Sequence, residues 1–252
     1  MNKIYVVGMG PGKEEFMTLQ AREVLSSCDC FVGYTVYLDI LPDSLKTKEL
    51  ISTPMRQEVK RCEMAFEEAL KGKKVAVICS GDAGVYGMAS LMYELSERYP
   101  GVEIEVVAGI TAALSGAAVL GAPVNHDFCI ISLSDLLTPW EKIEKRLRAA
   151  AEGDFAIVLY NPSSHKRKDY LQKACDILLE RIEEERPCGL VRNIGRENTE
   201  SKVLTLKELR DTEVDMFTTV FVGNSESRII NGRLITGRGY KIEGNTDIRG
   251  ND

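Results

Sequence analysis

The sequence predicts an α/β protein built around a largely parallel sheet. Short apolar runs rich in β-branched residues alternate with segments of helical periodicity along most of the chain. Three of these runs lead into glycine-rich turns, at residues 8–12, 81–87 and 109–116. Strands that alternate with helices favour a parallel sheet covered by helices on both faces.

The first half alternates strands and helices in a regular order. Each predicted strand is a short apolar run that a polar or glycine-containing turn follows. Each predicted helix repeats apolar residues near helical spacing, and Thr18 is the predicted N-cap of the first. The strands are Ile4–Gly8, Cys30–Val32, Val75–Cys79 and Ile104–Val107, and the helices are Thr18–Ser27, Gln57–Leu70, Met88–Arg98 and a small-residue helix ending at Leu120.

The domain boundary is predicted where Gly121-Ala122-Pro123 interrupts this alternation. We therefore expect an N-terminal α/β domain over residues 1–121, a C-terminal α/β domain over residues 122–240 and a frayed polar tail over residues 241–252. The second half has predicted strands at Phe128–Ser132, Ala156–Tyr160, Pro187–Val191 and Thr218–Val222, predicted helices at Trp140–Ala151, Asp169–Glu184 and from Thr205, and a polar loop at Asn161–Lys168.

Bulk composition argues against several classes of function. The 252 residues carry a formal net charge of −6, and no nucleic-acid partner is expected because phosphate binding needs an excess of Lys and Arg. No run approaches the roughly 18 apolar residues of a membrane span, and no signal-peptide pattern opens the chain, which predicts a soluble cytoplasmic protein. Seven scattered cysteines and two histidines have no metal-ligand spacing, so no bound metal is expected.

The first glycine-rich turn, Gly8-Met9-Gly10-Pro11-Gly12, indicates a role in shape rather than in phosphate binding. It fails the dinucleotide-binding fingerprint because the position that needs the third glycine is occupied by Lys13. Pro11 also removes an N–H donor at the place where a phosphate would need one.

The second glycine-rich turn, residues 80–87, offers a carboxylate at Asp82 and a phenol at Tyr86 among three glycines. Backbone donors, a carboxylate and an aromatic ring could together hold an amino-acid-like, positively charged ligand. An ordinary turn in which Asp82 caps the following helix explains the same residues equally well. The third turn, at Gly109-Ile110-Thr111, allows the same two interpretations.

Taken in order, these turns resemble the motifs of the tetrapyrrole methylase family, whose members methylate porphyrin-like and corrin-like intermediates with S-adenosylmethionine. The resemblance covers about residues 3 to 240. It implies two α/β domains of the tetrapyrrole methylase type, an active site in the interdomain cleft and a homodimer. The motifs that carry it are Gly8–Gly12, Ser80–Gly87, Gly109–Thr111, Leu159–Asn161 and Thr218–Gly223.

Two positions depart from the family pattern, because Ala83 and Ala108 stand where it usually has proline. The lost prolines free two φ angles, which predicts looser cofactor loops and weaker cofactor binding.

Further segments are similar to the branch of the family that methylates carbon 17 of a precorrin-3B-type tetrapyrrole, with ring contraction, in cobalamin biosynthesis. The expected substrate is precorrin-3B or cobalt-factor III, and the sequence leaves open whether it contains cobalt. The alternatives are another precorrin methyltransferase and a non-catalytic corrinoid-binding relative. The segments are Ser132–Trp140, Leu159–Pro162, Val191–Glu197 and Asp215–Thr219.

The resemblance also implies a set of cofactor contacts. Asp82 is expected nearest the charged portion of the cofactor. The expected contacts of S-adenosylmethionine are Pro11, Gly81, Asp82, Val85, Thr111, Ala112, Tyr160 and Thr219.

The substrate carries many carboxylates, so cations of the second half are expected to bind it. Arg192 and Arg196 are favoured because a guanidinium can hold a carboxylate through two parallel hydrogen bonds. Lys166–Lys168 either contact the substrate or form a solvated loop. Asp135 is a further expected substrate contact, although it could instead cap a nearby helix or turn.

Ring contraction requires proton transfer and stabilisation of developing charge. The expected catalytic residues are Asp82, Tyr160 and Arg192. Structural roles are favoured for His126 at the domain junction and for Trp140 in the core.

Overall fold

The structure is a computed structural model that describes residues 2–164 and 166–240. The chain divides into two compact units: Met1–Gly116 with Val191–Glu200 form the first, and Ala117–Leu190 with Ser201–Asp252 form the second. Val191–Glu200 therefore belong to the first unit although they come late in the chain. A single boundary near residue 121 would assign them to the second unit. The tail expected over residues 241–252 lies outside the described residues. No described helix is long and apolar enough to cross a membrane.

The first unit contains a five-stranded sheet in which every described strand pair is parallel. The strands are β1 (Asn2–Gly8), β2 (Cys30–Tyr34), β3 (Glu49–Thr53), β4 (Val75–Cys79) and β5 (Val102–Val107), in the order β3-β2-β4-β1-β5. The helices are α1 (Leu19–Ser27), α2 (Thr35–Asp39), α3 (Glu58–Leu70), α4 (Ala89–Ser96) and most of α5 (Ala112–Leu120), with a single 3-10 turn at Glu14–Phe16.

Both faces of this sheet are covered, because alternate residues of its central strands point to opposite sides. Val6 and Val77 pack with Phe66 of α3 in one apolar cluster. Val7 and Ile78, the next residues along their strands, pack in a second cluster that includes helix α1. Burial of the Phe66 side chain alone is worth roughly 1.5–3 kcal/mol. The predicted parallel sheet, covered by helices on both faces, is confirmed for this unit.

The second unit contains a mixed sheet. Its strands β7 and β8 are parallel, whereas β8 and β11 are antiparallel. The strands are β7 (Phe128–Ser132), β8 (Ala156–Tyr160), β9 (Pro187–Arg192), β10 (Glu200–Thr205) and β11 (Thr218–Val222), in the order β10-β9-β11-β8-β7. The helices are α6 (Trp140–Glu152), α7 (Tyr170–Leu178) and α8 (Leu206–Arg210).

A small third sheet completes the second unit. It pairs β6 (Gly121–Ala122) with a hairpin of β12 (Ser227–Ile230) and β13 (Arg233–Thr236). The hairpin turns at Asn231-Gly232, where both residues have positive φ, as a two-residue turn between twisted antiparallel strands requires.

Candidate functional site

Three loops meet at the carboxyl edge of the first sheet, the edge at which its parallel strands end. They follow β1, β4 and β5, which are neighbours in the sheet. Gly10 and Gly81 donate backbone hydrogen bonds to each other's carbonyl oxygens, at 3.0 and 2.7 Å. The Met9 N–H donates to the Cys79 carbonyl at 2.9 Å. Ligands of open α/β sheets bind at this edge, so the loop cluster is the first place to look for a site.

The glycines of this cluster allow the loops to touch one another. A Cβ added to Gly109 would lie 2.1 Å from the Gly81 carbonyl oxygen, and one added to Gly8 would lie 2.7 Å from that same oxygen. Gly81 itself has a φ of +70°, which L side chains rarely adopt. Close loop packing, and not only ligand approach, therefore explains why glycine stands at these positions.

Asp82 joins two of the loops through both oxygens of its carboxylate. Oδ1 accepts from the Gly84 N–H at 2.8 Å, and Oδ2 accepts from the Gly109 N–H at 2.9 Å. Asp82 does not cap the following helix, because the N-cap of α4 is Met88, which makes no side-chain capping bond. Among the described residues, no Lys, Arg or His nitrogen lies within 4.0 Å of this carboxylate.

Two further predicted cofactor contacts lie against Gly81. A Cβ built on Gly81 would be 3.7 Å from the Thr111 Cα and 3.8 Å from the Ala112 nitrogen, which is ordinary van der Waals distance. The Thr111 carbonyl accepts from the Leu114 N–H at 3.1 Å and so starts helix α5. Val85 lies half-buried in the loop that Asp82 begins. The structure therefore brings the predicted contacts of β4 and β5 into one cluster.

The returning segment of the first unit packs on the loop after β1. The Lys13 N–H donates to the Gly195 carbonyl at 2.8 Å, and a Cβ on Gly195 would be 3.1 Å from Pro11 Cγ. This contact holds the segment of Arg192 and Arg196 beside the loop of Pro11. The Arg192 guanidinium lies 3.6 Å from a carboxylate oxygen of Glu200.

In the second unit, Tyr160 and Thr219 lie at neighbouring strand ends. Tyr160 is the last residue of β8 and pairs in register with Ser132 of β7. The antiparallel pairing of Leu159 with Val220 places Thr219 beside Tyr160 at the next position along each strand. Thr219 is 6% exposed and Tyr160 is half-buried.

Asp135 is engaged by protein groups on both carboxylate oxygens. The Tyr170 hydroxyl donates to Oδ2 at 2.6 Å, and Arg167 Nη1 donates to Oδ1 at 3.1 Å. Arg167 also donates to the Ser134 hydroxyl at 2.7 Å. The Tyr170 hydrogen bond, followed by the Arg167 guanidinium, lowers the pKa of the Asp135 carboxyl below its usual value. Arg167 therefore belongs to a charge network and not to a fully solvated loop.

The sequence analysis did not single out Arg61 of α3, a buried arginine of the first unit. Arg61 is 4% exposed. The helical spacing could have predicted that Arg61 is buried, because Arg61 lies one and two turns before Ala65 and Ala69 on the buried face of α3. A charged residue on an apolar helix face points either to a tertiary partner or to a ligand.

Among the described residues, no cluster of three or more His, Cys, Asp or Glu side chains could hold a metal ion. Burial raises the pKa of the Cys79 thiol, at the end of β4, to about 11.

Comparison with known proteins identifies the family. The family model described as Tetrapyrrole (Corrin/Porphyrin) Methylases matches residues 3–210. The chain belongs to this family. The expected family and its two-domain α/β fold are therefore confirmed.

The relatives within the family are similar over most of this chain. It is 46% identical over 244 residues to a cobalt-factor III methyltransferase of Priestia megaterium, covering 95% of this chain and 45% of that protein. It is 39% identical over 234 residues to a precorrin-3B C(17)-methyltransferase of Sinorhizobium sp, covering 90% and 91%. The crystal structure of the methyltransferase CobJ matches with a TM-score of 0.87 at 38% identity, covering 94% and 100%.

Proposed function

We propose that this tetrapyrrole methylase transfers a methyl group from S-adenosylmethionine to carbon 17 of a precorrin-3B-type tetrapyrrole and contracts the ring, a step of cobalamin biosynthesis. The observation that supports this most is 39% identity to the Sinorhizobium relative, which is named a precorrin-3B C(17)-methyltransferase and of which 91% is covered. Cobalt-factor III is the first candidate substrate because of the 46% identity to the Priestia relative, and precorrin-3B is the second.

The loop cluster of the first unit fits a cofactor that is positively charged and has groups that can contact the protein main chain. Gly81, Thr111 and Ala112 present main chain, and the Asp82 carboxylate has no cationic partner among the described residues. An acidic side chain without a counter-ion is a favourable neighbour for a sulfonium or an ammonium group. Bound S-adenosylmethionine supplies a methyl group that its positively charged sulfur already activates.

The chain's own residues have mainly to bind and orient the reactants for methyl transfer. Alignment of two reactants can lower a barrier by about 7–11 kcal/mol, so no covalent enzyme nucleophile is needed. Asp82 keeps the loops after β4 and β5 together, and so fixes the main chain against which the cofactor would lie. Pro11, Val85, Tyr160 and Thr219 complete the proposed cofactor contacts.

Ring contraction needs groups that hold charge and move protons on the substrate. We assign these roles to Asp82, Tyr160 and Arg192, with Arg192 and Arg196 binding substrate carboxylates. Asp135 would act through Arg167, because both of its oxygens already accept hydrogen bonds from protein groups. The homodimer, the cytoplasmic location and the residue-121 boundary belong to the same proposal.

The test is anaerobic incubation of the protein with S-adenosylmethionine labelled in its methyl group and with cobalt-factor III or precorrin-3B in parallel reactions. We expect label in one tetrapyrrole product, with NMR placing the methyl group on carbon 17 of a contracted ring. Label on another carbon would identify a different precorrin methyltransferase. Binding of both tetrapyrroles without label transfer would indicate a non-catalytic corrinoid-binding relative.

A further inference from the structure

The guanidinium of Arg61 is buried in the first unit without an acidic partner. Arg61 is 4% exposed, and among the described residues no carboxylate oxygen lies within 4.0 Å of its nitrogens. Glu58, which lies one turn earlier on α3, is exposed and accepts from the Arg56 N–H instead. Buried charges are normally paired, because an ion loses several kcal/mol of solvation when it leaves water.

Neutral groups satisfy only part of this guanidinium. Nε donates to the Thr53 hydroxyl at 2.8 Å, and Nη2 donates to the Pro54 carbonyl at 3.1 Å. Nη2 also lies 3.5 Å from the Thr53 carbonyl oxygen. Among the described residues, the Nη1 group has only the Met88 sulfur, at 3.8 Å, and a thioether is a weak acceptor. The Nη1 group, which the Met88 side chain covers, therefore retains hydrogen-bonding capacity. The positive charge of Arg61 is not neutralised by any described acid.

The position of Arg61 is that of a ligand-binding group. Its partners belong to the carboxyl ends of the strands, since Thr53 ends β3 and Tyr34, whose ring centroid is 5.9 Å away, ends β2. In the sheet order, β3 and β2 lie on one side of β4, and the proposed cofactor strands β1 and β5 lie on the other. Arg61 therefore lies at the carboxyl edge beside the loop after β4, on the side away from β1 and β5.

Arg196, which the sequence predicts to bind substrate, and Arg61 both act electrostatically on Tyr37. Burial raises the pKa of the Tyr37 hydroxyl, and the charges of Arg196 and Arg61 both oppose that rise. Tyr37 thus lies within the electrostatic reach of two guanidinium groups.

The Met88 side chain, which covers Nη1 of Arg61, can move, because it is half-buried, unbranched and flexible.

We propose that Arg61 binds a side-chain carboxylate of the tetrapyrrole substrate, which supplies the counter-charge that the described residues do not place within 4.0 Å of its nitrogens. The carboxylate displaces the Met88 thioether and accepts hydrogen bonds from Nη1 of Arg61. This inference rests on the proposed function for the identity of the ligand. Arg61 is a binding residue in this scheme and takes no part in bond formation.

The test compares Arg61→Met and Arg61→Lys with the wild-type protein and with Arg186→Met. Arg186 is a matched control, since it is 7% exposed but is paired with Glu183 through two hydrogen bonds of 2.6 and 2.8 Å. Cobalt-factor III binding is titrated by absorbance in the presence of S-adenosylhomocysteine, and S-adenosylhomocysteine binding is measured separately by calorimetry.

We expect Arg61→Met to weaken cobalt-factor III binding about 10- to 100-fold, because hydrogen bonds to a charged group are lost. Arg61→Lys should lose less, Arg186→Met should bind as wild type, and S-adenosylhomocysteine affinity should not change. In turnover, KM should rise while kcat is kept. If Arg61→Met does not fold, Arg61→Lys and Arg61→Gln decide by the same titration.

Two results would overturn the inference. A loss of S-adenosylhomocysteine affinity with unchanged cobalt-factor III binding would assign Arg61 to the cofactor's carboxylate, and wild-type affinity for both ligands would leave it a structural role. Failure of the proposed function looks different, because the wild-type protein would then bind cobalt-factor III without transferring a methyl group.

Discussion

Two charged side chains of the first unit have no oppositely charged partner among the described residues, whereas two of the second unit are paired. In the part of the first unit that the structure describes, the Asp82 carboxylate accepts only from backbone N–H groups, and Arg61 donates only to neutral acceptors. In the second, Asp135 is paired with Arg167, and Arg186 with Glu183. Side chains whose charges are paired are already stabilised by the protein. Those whose charges are unpaired gain most from a charged ligand, which favours the carboxyl edge of the first sheet as the binding edge.

Arg186→Met offers the largest expected effect and tests the paired side of this comparison. The substitution removes the fork to Glu183 and a bond of 3.2 Å to the Gly223 carbonyl, so we expect the free energy of unfolding to fall by about 2–3 kcal/mol. The expected loss of unfolding free energy is smaller than for a fully buried ion pair because the Glu183 side chain is 59% exposed. Urea unfolding followed by circular dichroism measures the change.

Arg61→Met is the matching variant on the unpaired side, and we expect it to cost no more than about 1 kcal/mol. It removes hydrogen bonds to neutral groups but also removes a buried charge that has no acidic partner among the described residues. Equal losses of unfolding free energy in the two variants would remove the distinction between paired and unpaired arginines.

Asp82→Asn tests the unpaired carboxylate of the first unit. Asn has one amide oxygen, so its NH2 group must face the N–H of either Gly84 or Gly109. One backbone donor loses its acceptor, at about 1 kcal/mol, and the negative charge is lost. We expect S-adenosylhomocysteine affinity to fall about 10-fold in isothermal titration calorimetry.

The control for this variant is Asp43→Asn, because the Asp43 side chain is 98% exposed and pairs only with Lys46 on the surface. Its affinity should equal that of the wild type. Wild-type affinity in Asp82→Asn itself would mean that the carboxylate neither orders the loops nor contacts the cofactor.

Local sequence patterns predicted most strands and helices but not the short or exposed elements. Strand β4 was predicted with its bounds because all five residues are apolar and buried. Strand β3 was missed, because Glu49, Leu50 and Ser52 are exposed on this edge strand and give no apolar run. The hairpin of β12 and β13 was missed although Asn231-Gly232 carries the turn signal.

The candidate site was predictable where it depends on strand ends and not where it depends on side-chain pairing. Gly81 and Thr111 follow β4 and β5, which flank β1 in the parallel sheet, so the alternating pattern places both residues at the same carboxyl edge. The partners of Asp135 come from 32 and 35 residues later in the chain, and no local periodicity encodes such a pairing. That no described carboxylate lies within 4.0 Å of the Arg61 nitrogens is likewise a property of the packed molecule.

Tyr170→Phe has a small expected effect and tests whether its hydroxyl stabilises the charged form of Asp135 in the second unit. The hydroxyl of Tyr170 is the largest cause of the lowered pKa of Asp135. A folded-state pKa below the unfolded value of about 3.9 stabilises the protein above that pH, and the contribution is lost as pH falls through the lowered pKa. We therefore expect Tyr170→Phe to lose about 1 kcal/mol of unfolding free energy at pH 7.

That difference from wild type should hold at pH 5 and shrink at pH 3 in urea unfolding. Tyr93→Phe is the control, because Tyr93 is 51% exposed and its hydroxyl bonds to no described residue. A Tyr170→Phe loss that is the same at all three pH values would mean that the hydroxyl contributes packing alone. Asp135 would then depend on Arg167 for its charge compensation, and the second unit would hold this carboxylate through a single ion pair.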